Sequence, residues 1–596
     1  MENPQNTTRS RWRQLTGPAV ILLAAAVALW PQLMHGPSCG HDFDFHLVSW
    51  FDCLNSWRHG ILYPHWTPSA NYGAGEARFV FYSPLTWMLG AALGALLPWA
   101  LVPVALTWVL LAGTGLATRA LARQALTEGA ATLAGCVAIF SGYALFTAYE
   151  RTAFAELAGG LWIPLVLLFA LSDRNASGGC LKRAFDGSAA ALALAIAGAW
   201  LSNPTVGVMT CYLLAAVALA SAVLARSWAP ALRAAVGAAA GMGLVAFYLI
   251  PAAWEQRWVD IHQVTEDPGQ TLENNWLFAV HADPSLALHD AVLRTASTIA
   301  VVMIAAALAG VLACWLRSRL PGGRRWGIPL ALIPVAVLSL QFPFSRSLWN
   351  LLPDLRFLQF PWRWLLAVEA PMAVFLATAV WPRESGRLWR RVAVGLACFA
   401  VFLAMTSFAR SNFFQECDDE DAVPGMLSVY RAGHGFIGTD EYEPIGADNY
   451  MVATGLPDAC LVSDPATVLG ALPASLDAED IVPAWKAAQN SCDATLSWQS
   501  GSPEQKRLRA FVRHPGYLIL RLRSYPAWRT TVNGRPVGRQ PQREDGLMVV
   551  PVPRGTVDLA VNWTATPDVI AGRWLSALAA LLLAALWFFE RKQQKI

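Results

Sequence analysis

Stretches of apolar residues, each near the length of a bilayer crossing, recur along almost the whole chain. A transmembrane helix needs roughly 20 such residues. Hydrophobic residues make up 55% of the 596 residues and charged residues only 14%, against about 25% charged residues in soluble proteins. The sequence therefore predicts a polytopic α-helical membrane protein with about twelve spans. We place these spans at residues 17–34, 100–118, 129–147, 157–172, 188–202, 204–225, 231–251, 296–316, 327–341, 361–381, 392–408 and 571–589.

Basic residues cluster in alternate loops, which predicts that those loops face the cytoplasm. Both the N-terminus and the tail at Lys595 are then cytoplasmic, and the opposite loops are external. This pattern requires that residues 83–98 lie at the outer interface without crossing; a short thirteenth span is the alternative. The inner loops carry Arg9, Arg11, Arg13, Arg119, Arg123, Arg174, Lys182, Arg183, Arg226, Arg233, Arg317, Arg319, Arg324, Arg325, Arg383, Arg387, Arg390 and Arg391.

Three regions follow from this topology. Residues 1–408 form a transmembrane body whose first external loop covers residues 35–99, and residues 409–570 form a periplasmic β-rich, sandwich-like domain. Residues 571–596 are a terminal span with a cytoplasmic tail. Asn533-Gly534 predicts a β-hairpin, because both residues readily take positive φ. The expected strands are Leu508–Val512, Tyr517–Leu522, Trp528–Val532, Met548–Val552 and Val557–Val561.

Two carboxylates and an imidazole follow the first span closely, at Asp42, Asp44 and His46. Asp42 and His46 are four residues apart and would share one face of a helix. A carboxylate at the membrane surface can take a proton from a hydroxyl or hold a divalent cation such as Mg²⁺ or Mn²⁺, so Asp42 is a possible metal ligand. Tyr63, Trp66 and Tyr82 of the same loop are candidates for stacking on sugar rings. An aromatic belt with solvated acids is the alternative.

Further polar residues stand at the outer ends of later spans. Arginine binds phosphate through two parallel hydrogen bonds, and ionisable residues at membrane depth are usually functional or paired. The alternatives are a local ion pair, an ordinary turn and headgroup anchoring. The candidates are Arg151 and Glu156 in the second external loop, Asn203 in a turn, and Arg356, Gln359 and Arg363 before the tenth span.

Cysteine placement agrees with an external first loop and an external domain. Five cysteines are predicted to face outside, where disulfides can form, so at least one has no partner within the set. Cys39 and Cys53 bracket the acidic residues, and we predict that they form a disulfide.

Several of these segments resemble a bacterial family of large membrane proteins catalogued as "6-pyruvoyl-tetrahydropterin synthase-related", and also YfhO-type proteins. The resemblance covers most of residues 35–408, and Ala527 and the extra Asp44 depart from it. The segments are Asp42-x-x-x-His46, Gly60-x-x-Tyr63-Pro64-x-Trp66, Gly73-x-Gly75, Phe81-Tyr82-x-Pro84-Leu85, Tyr149-x-Arg151 with Glu156, Arg356-Phe357-x-Gln359-Phe360-Pro361-Trp362-Arg363, and Tyr525-Pro526-Ala527-Trp528-Arg529 with Val532-Asn533-Gly534.

Both families are similar in layout to GT-C glycosyltransferases, so the resemblance implies a GT-C-like fold in a bacterial inner membrane. The implied reaction is sugar transfer from a polyprenyl-phosphate donor to an envelope glycan, lipid or protein. Asp42 would be the base or metal ligand, with Asp44, His46 and Glu156 assisting, and the arginines would hold phosphate. A flippase of lipid-linked glycans and a non-catalytic envelope-assembly scaffold are the alternatives. Membrane lipids are expected partners, and nucleic acid is not.

Overall fold

The computed structural model describes residues 4–172, 179–382, 388–471, 482–486, 492, 496–538 and 540–595. Within these residues a helical body precedes a β-sheet region, which a last long helix follows. The first helices are α1 (Pro4–Ala28), α2 (Trp30–His35), α3 (Phe43–Arg58), α4 (Arg78–Phe81), α5 (Pro84–Leu96), α6 (Val102–Ala122), α7 (Glu128–Ile139), α8 (Gly142–Tyr149), α9 (Phe154–Leu157), α10 (Gly159–Ala170), α11 (Cys180–Ala184) and α12 (Ala189–Ser202). The others are α13 (Pro204–Ala225), α14 (Ala229–Leu244), α15 (Ala246–Glu255), α16 (Gln263–Glu266), α17 (Ala287–Leu316), α18 (Arg324–Leu340), α19 (Arg346–Leu351), α20 (Leu365–Val380), α21 (Leu388–Asn412), α22 (Val423–Ala432) and α23 (Pro567–Lys595).

The helical body contains membrane-spanning helices, but their count differs from the expected twelve. In the described part of the chain six helices are long and apolar enough to cross, and three further pairs qualify only if a bent pair forms one span. Three of the expected spans, 17–34, 157–172 and 188–202, are shorter apolar helices. Twelve spans are therefore not confirmed. The inner-loop residues Arg174, Arg383 and Arg387 lie outside the described residues.

Local breaks divide the three bent pairs. The axis turns by 41° between α7 and α8, by 72° between α14 and α15, and by 98° after α18. At the first break the Ser141 side chain accepts a hydrogen bond from the Ala144 amide, which caps the start of α8. At the third, Pro343 stands three residues after the end of α18 and has no amide hydrogen to extend the helical pattern. Apolar periodicity alone cannot reveal such breaks.

The segment that was predicted to be the first external loop folds into α3, α4 and α5 against the body. Helix α5 occupies the segment 83–98 that was predicted to be an interfacial helix, and it packs against α3, α6 and α12. Its helical state is as expected, whereas its depth in the membrane stays a prediction.

The β region contains two antiparallel sheets, and all five expected runs are strands. One sheet has the order β1-β4-β7 and the other the order β2-β3-β8-β5-β6. Asn533 and Gly534 both take positive φ and join β5 to β6, as predicted. Buried side chains of both sheets form one apolar cluster, so the sheets pack face to face. The strands are β1 (Ala459–Val462), β2 (Ser500–Ser502), β3 (Gln505–Val512), β4 (Gly516–Arg523), β5 (Trp528–Val532), β6 (Arg535–Pro536), β7 (Leu547–Val552) and β8 (Gly555–Trp563).

The disulfides differ from the prediction. Cys39 pairs with Cys417, and Cys460 pairs with Cys492. The predicted bridge between Cys39 and Cys53 is wrong, because Cys53 points into the core from α3 and is a buried free thiol. The observed bridge instead ties the start of the first loop to the segment that follows α21.

Candidate functional site

A cavity of about 740 Å³ lies where several loops meet at one end of the helical body. Its lining comes from the start of α3, the segment between α8 and α9, the turn between α12 and α13, α15, the segment before α20, and residues 439–442. Seven residues singled out from the sequence line it: Asp42, Tyr82, Arg151, Glu156, Asn203, Gln359 and Arg363. These seven residues, up to 321 positions apart in the chain, therefore line one cavity.

The buried charged centre of this cavity is one carboxylate between two guanidinium groups. Glu156 Oε2 lies 2.5 Å from Arg151 Nη1 and 3.3 Å from Arg363 Nε. The Tyr143 hydroxyl donates a further hydrogen bond to Glu156. The Glu156 side chain is only 2% exposed. Its carboxylate is saturated by cations and a donor, so Glu156 positions the two arginines and is a poor proton acceptor.

Asn203 and Gln359 have structural contacts in addition to lining the cavity. The Asn203 side chain accepts hydrogen bonds from the amides of Thr205 and Val206, which caps α13. Gln359 accepts a 2.7 Å hydrogen bond from Arg363 Nη1. These contacts hold the polar wall in place.

Asp42 is an accessible carboxylate of the cavity and lies beside Arg151. Its side chain is 39% exposed, and Oδ2 lies 3.9 Å from Arg151 Nη2, at the long end of an ion pair. The Asp42 amide donates to the Arg151 carbonyl oxygen at 3.0 Å. A Cβ on Gly40 would lie 2.1 Å from the Glu150 carbonyl oxygen, so only glycine permits this close approach. The backbone thus fixes Asp42 beside the arginine.

Asp44 and His46 do not join Asp42 in the cavity. Asp42 occupies the N-cap position of α3 without a capping hydrogen bond from its side chain, while Asp44 is exposed and accepts a hydrogen bond from the Phe45 amide. His46 is fully buried and contacts aromatic rings, among them Tyr82 and Phe154. Burial lowers the pKa of His46 to about 3, and the Arg78 charge adds to this effect. Because Asp42 lines the cavity and His46 does not, the expected shared face of the two residues is not formed. A neutral, enclosed imidazole also cannot bind phosphate by charge.

Three other candidates lie away from this cavity. Tyr63 lines a separate cavity of about 350 Å³ beside α15 and α23. Trp66 is buried against Tyr525 and Trp528 of the β region. Arg356 is 43% exposed and pairs with Glu273 at 2.7 Å. The structure therefore gives Trp66 and Arg356 contacts of their own, outside the cavity.

Sequence reasoning missed Asp354, an exposed acidic residue of the cavity lining, and Glu441. Glu441 stands in the segment after α22, whose Thr439 amide donates to Glu76 at 2.9 Å and whose Thr439 hydroxyl accepts from Arg78 at 3.2 Å. Burial raises the pKa of Glu441 to about 7, helped by the Glu76 and Asp440 carboxylates. Glu441 lies 399 positions from Asp42, and no motif spacing connects them.

The cavity does not supply the ligand set that the possible Mg²⁺ or Mn²⁺ ion needs. Among the described residues no group of three or more His, Cys, Asp or Glu side chains converges. Asp42 has a guanidinium as its neighbour, and Glu156 has two. Hard cations require several oxygen ligands, so the donor set present here does not fit such an ion.

Comparison with known proteins identifies the family. The model of the family described as "6-pyruvoyl-tetrahydropterin synthase related domain; membrane protein" matches residues 79–414. The chain belongs to this family of membrane proteins, as the sequence motifs predicted. No curated protein matches the chain.

Three solved structures are distantly similar. The apo oligosaccharyltransferase of Archaeoglobus fulgidus is 14% identical, with 72% of this chain and 61% of that chain covered and a TM-score of 0.42. For the mycobacterial arabinofuranosyltransferase AftD the identity is 18%, the coverages are 68% and 27%, and the TM-score is 0.42. The arabinosyltransferase EmbB from Mycobacterium smegmatis is 12% identical, with 93% of this chain and 63% of that chain covered and a TM-score of 0.33. The chain spans less than two thirds of each of these proteins, and likeness at this level assigns no activity.

Proposed function

We propose that the protein is a membrane glycosyltransferase that moves a sugar from a polyprenyl-phosphate donor to a hydroxyl group of an envelope glycan, lipid or protein. The observation that carries this proposal is that the accessible carboxylate of Asp42 lies beside the buried Arg151 guanidinium and shares one large cavity with the buried Arg363 guanidinium. Sugar transfer from a lipid phosphate needs a base for the acceptor and cations for the leaving phosphate.

The residues divide the chemistry between them. The Asp42 carboxylate takes the proton of the acceptor hydroxyl while that oxygen forms a bond to the anomeric carbon. The bond from the anomeric carbon to the phosphate oxygen breaks, and the phosphate leaves with the electron pair. Arg151 and Arg363 stabilise the charge that develops on it. The proton leaves Asp42 for solvent through the cavity, whose lining includes the Glu441 carboxylate.

The walls of the cavity suit the two halves of such a donor. Phe45 and Tyr82 lie in edge-to-face contact with ring centroids 4.7 Å apart at the charged end, and present aromatic surface for a sugar ring. Val208, Met242 and Leu249 line the cavity from α13, α14 and α15 and provide apolar surface for the first isoprene units. The reaction then takes place at the periplasmic face of a bacterial inner membrane, with both chain termini in the cytoplasm.

The test is the transfer rate and donor affinity of purified variants in nanodiscs, with a synthetic polyprenyl-phosphate sugar. Asp42→Asn should reduce turnover by roughly 10²–10⁴-fold, the usual contribution of a general base, and leave donor binding intact. Arg363→Gln should mainly weaken donor binding, because the charge meets phosphate in the ground state too. Asp44→Asn is the matched control and should behave as wild type.

The results also separate the alternatives. Wild-type turnover in Asp42→Asn contradicts the assignment of the base. Donor translocation across the bilayer that survives Asp42→Asn, without sugar transfer in any variant, identifies a flippase.

A further inference from the structure

A second large cavity lies at the other end of the same helices. Its volume is about 630 Å³, and its lining comes from the ends of α6, α10 and α13 and the starts of α14 and α18. Helix α13 begins at the first cavity and ends at the second. Its 22 residues rise by about 1.5 Å each, or roughly 33 Å in all. This length matches the hydrocarbon core of a bilayer, about 30 Å, so the two cavities lie at opposite membrane surfaces.

Four arginines line this second cavity: Arg123, Arg183, Arg233 and Arg325. Among the described residues that line it there is no carboxylate. Within the described part of the chain, Asp186 Oδ2 lies 3.0 Å from Arg233 Nη2 and Glu128 Oε2 lies 3.1 Å from Arg123 Nε. Arg325 has no such carboxylate beside it among the described residues, so the cavity keeps a positive charge at this position.

Arg233 builds the floor of the cavity. It is 2% exposed and donates to the carbonyl oxygens of Ala170, Ser172 and Arg183, in addition to its pair with Asp186. At the rim, Arg123 is 54% exposed, and the exposed Arg325 side chain makes no hydrogen bond or ion pair with any other residue that the structure describes. Arg233 therefore has a structural role at the floor. At the rim, Arg123 is shared with Glu128, and the Arg325 charge is available to a ligand.

The rest of the lining is apolar and lies at the level of a membrane interface. Leu168, Leu171 and Pro230 line the cavity, as does Trp326, whose indole nitrogen donates to Gln124 at 2.8 Å. Trp228, between α13 and α14, is 73% exposed beside it. Exposed tryptophans at span ends mark the interface between lipid and water. The site therefore combines cations with apolar surface where lipid headgroups lie.

We propose that this cavity binds the phosphate-bearing headgroup of an anionic lipid from the leaflet opposite to the first cavity. The rim arginines contact the phosphate, and the apolar residues contact the glycerol and the first methylenes of the acyl chains. Basic pockets between transmembrane helices bind anionic lipids in this manner. The proposal does not depend on the chemistry of the first cavity.

The test uses the full-length protein in detergent and counts bound phosphatidylglycerol by native mass spectrometry across a lipid titration. Arg325→Gln should weaken binding about fivefold, the usual effect of one arginine near a lipid surface. Arg324→Gln is the matched control. It removes a neighbouring exposed arginine from the same first turn of α18, but Arg324 does not line the cavity. It should retain wild-type affinity.

Two further binding measurements identify the class of ligand. Phosphatidylcholine should bind more weakly than phosphatidylglycerol, and glycerol phosphate at the same concentration should not displace the lipid. Equal affinities for the Arg324 and Arg325 variants would overturn the proposal, because binding would then follow net charge and not the cavity. Displacement by glycerol phosphate would also overturn it, since the ligand would then be a soluble anion.

Discussion

Replacing Glu156 with Gln should destabilise the folded protein, because it leaves two guanidinium groups buried without their shared anion. At an effective dielectric constant of about 20, two charges about 4 Å apart attract each other by roughly 4 kcal/mol, and Glu156 makes two such pairs, with Arg151 and Arg363. Desolvation of the three groups offsets much of this. Removal of one member of a buried ion pair typically costs about 3–5 kcal/mol, and we expect a loss in this range.

The measurement is chemical unfolding in detergent micelles, followed by intrinsic tryptophan fluorescence. Glu150→Gln is the control, because Glu150 lies on the same loop but is only partly buried and accepts one hydrogen bond from Gln415; its loss should stay below about 1 kcal/mol. The double variant Glu156→Gln/Arg363→Gln should recover part of the stability, since it removes one of the unpaired cations. The reasoning is refuted if Glu156→Gln and Glu150→Gln have the same free energy of unfolding. It is also refuted if the loss in the double variant equals the sum of the losses in the two single variants.

Three further outcomes are expected. Peptide mapping under non-reducing conditions should recover Cys39 linked to Cys417; two free thiols at these positions in protein from the envelope would contradict the observed pairing. His46 stays neutral in the folded state because its pKa is lowered from 6.5 to about 3. Protonation of the unfolded state below pH 6.5 therefore lowers the free energy of unfolding, by roughly 2 kcal/mol at pH 5. His46→Phe should remove this acid sensitivity in the same unfolding assay, and an unchanged pH dependence would refute the reasoning. The pKa of Glu441 is raised to about 7, so a transfer rate that depends on its ionised form should rise through pH 7, and Glu441→Gln should flatten that rise; an unaltered profile would exclude Glu441 from the proton path.

The sequence predicts much of the architecture because its signals there are local. Runs of apolar residues identify the helices of the body, and alternation with the Asn533-Gly534 turn identifies the strands of the β region. The count of twelve spans is not confirmed, and the reason is also local. Breaks such as the one at Ser141 depend on a single cap, which leaves the apolar composition unchanged.

The candidate site is only partly visible in the sequence, because its contacts join distant segments. Arg151, Glu156 and Arg363 could be proposed from ionisable residues at span ends, and the structure brings them together. The role of His46 could not, since its burial depends on packing against Phe154 and Tyr82. Glu441 carried no signal either, because its segment reaches the cavity through contacts with Glu76 and Arg78.

The position of Asp42 is constrained from three sides. Its amide is bonded to Arg151, Gly40 touches the Glu150 carbonyl, and Cys39 is bridged to the segment that leads to α22 and Glu441. The Asp42 carboxylate, the segment between α8 and α9 and the segment between α21 and α22 must therefore move together. A chain that only anchored lipid headgroups would gain nothing from such constraints, because long mobile side chains can reach phosphate by themselves. Fixed geometry matters when a proton has to be taken at hydrogen-bond distance, and this favours catalysis over passive lipid binding at the first cavity.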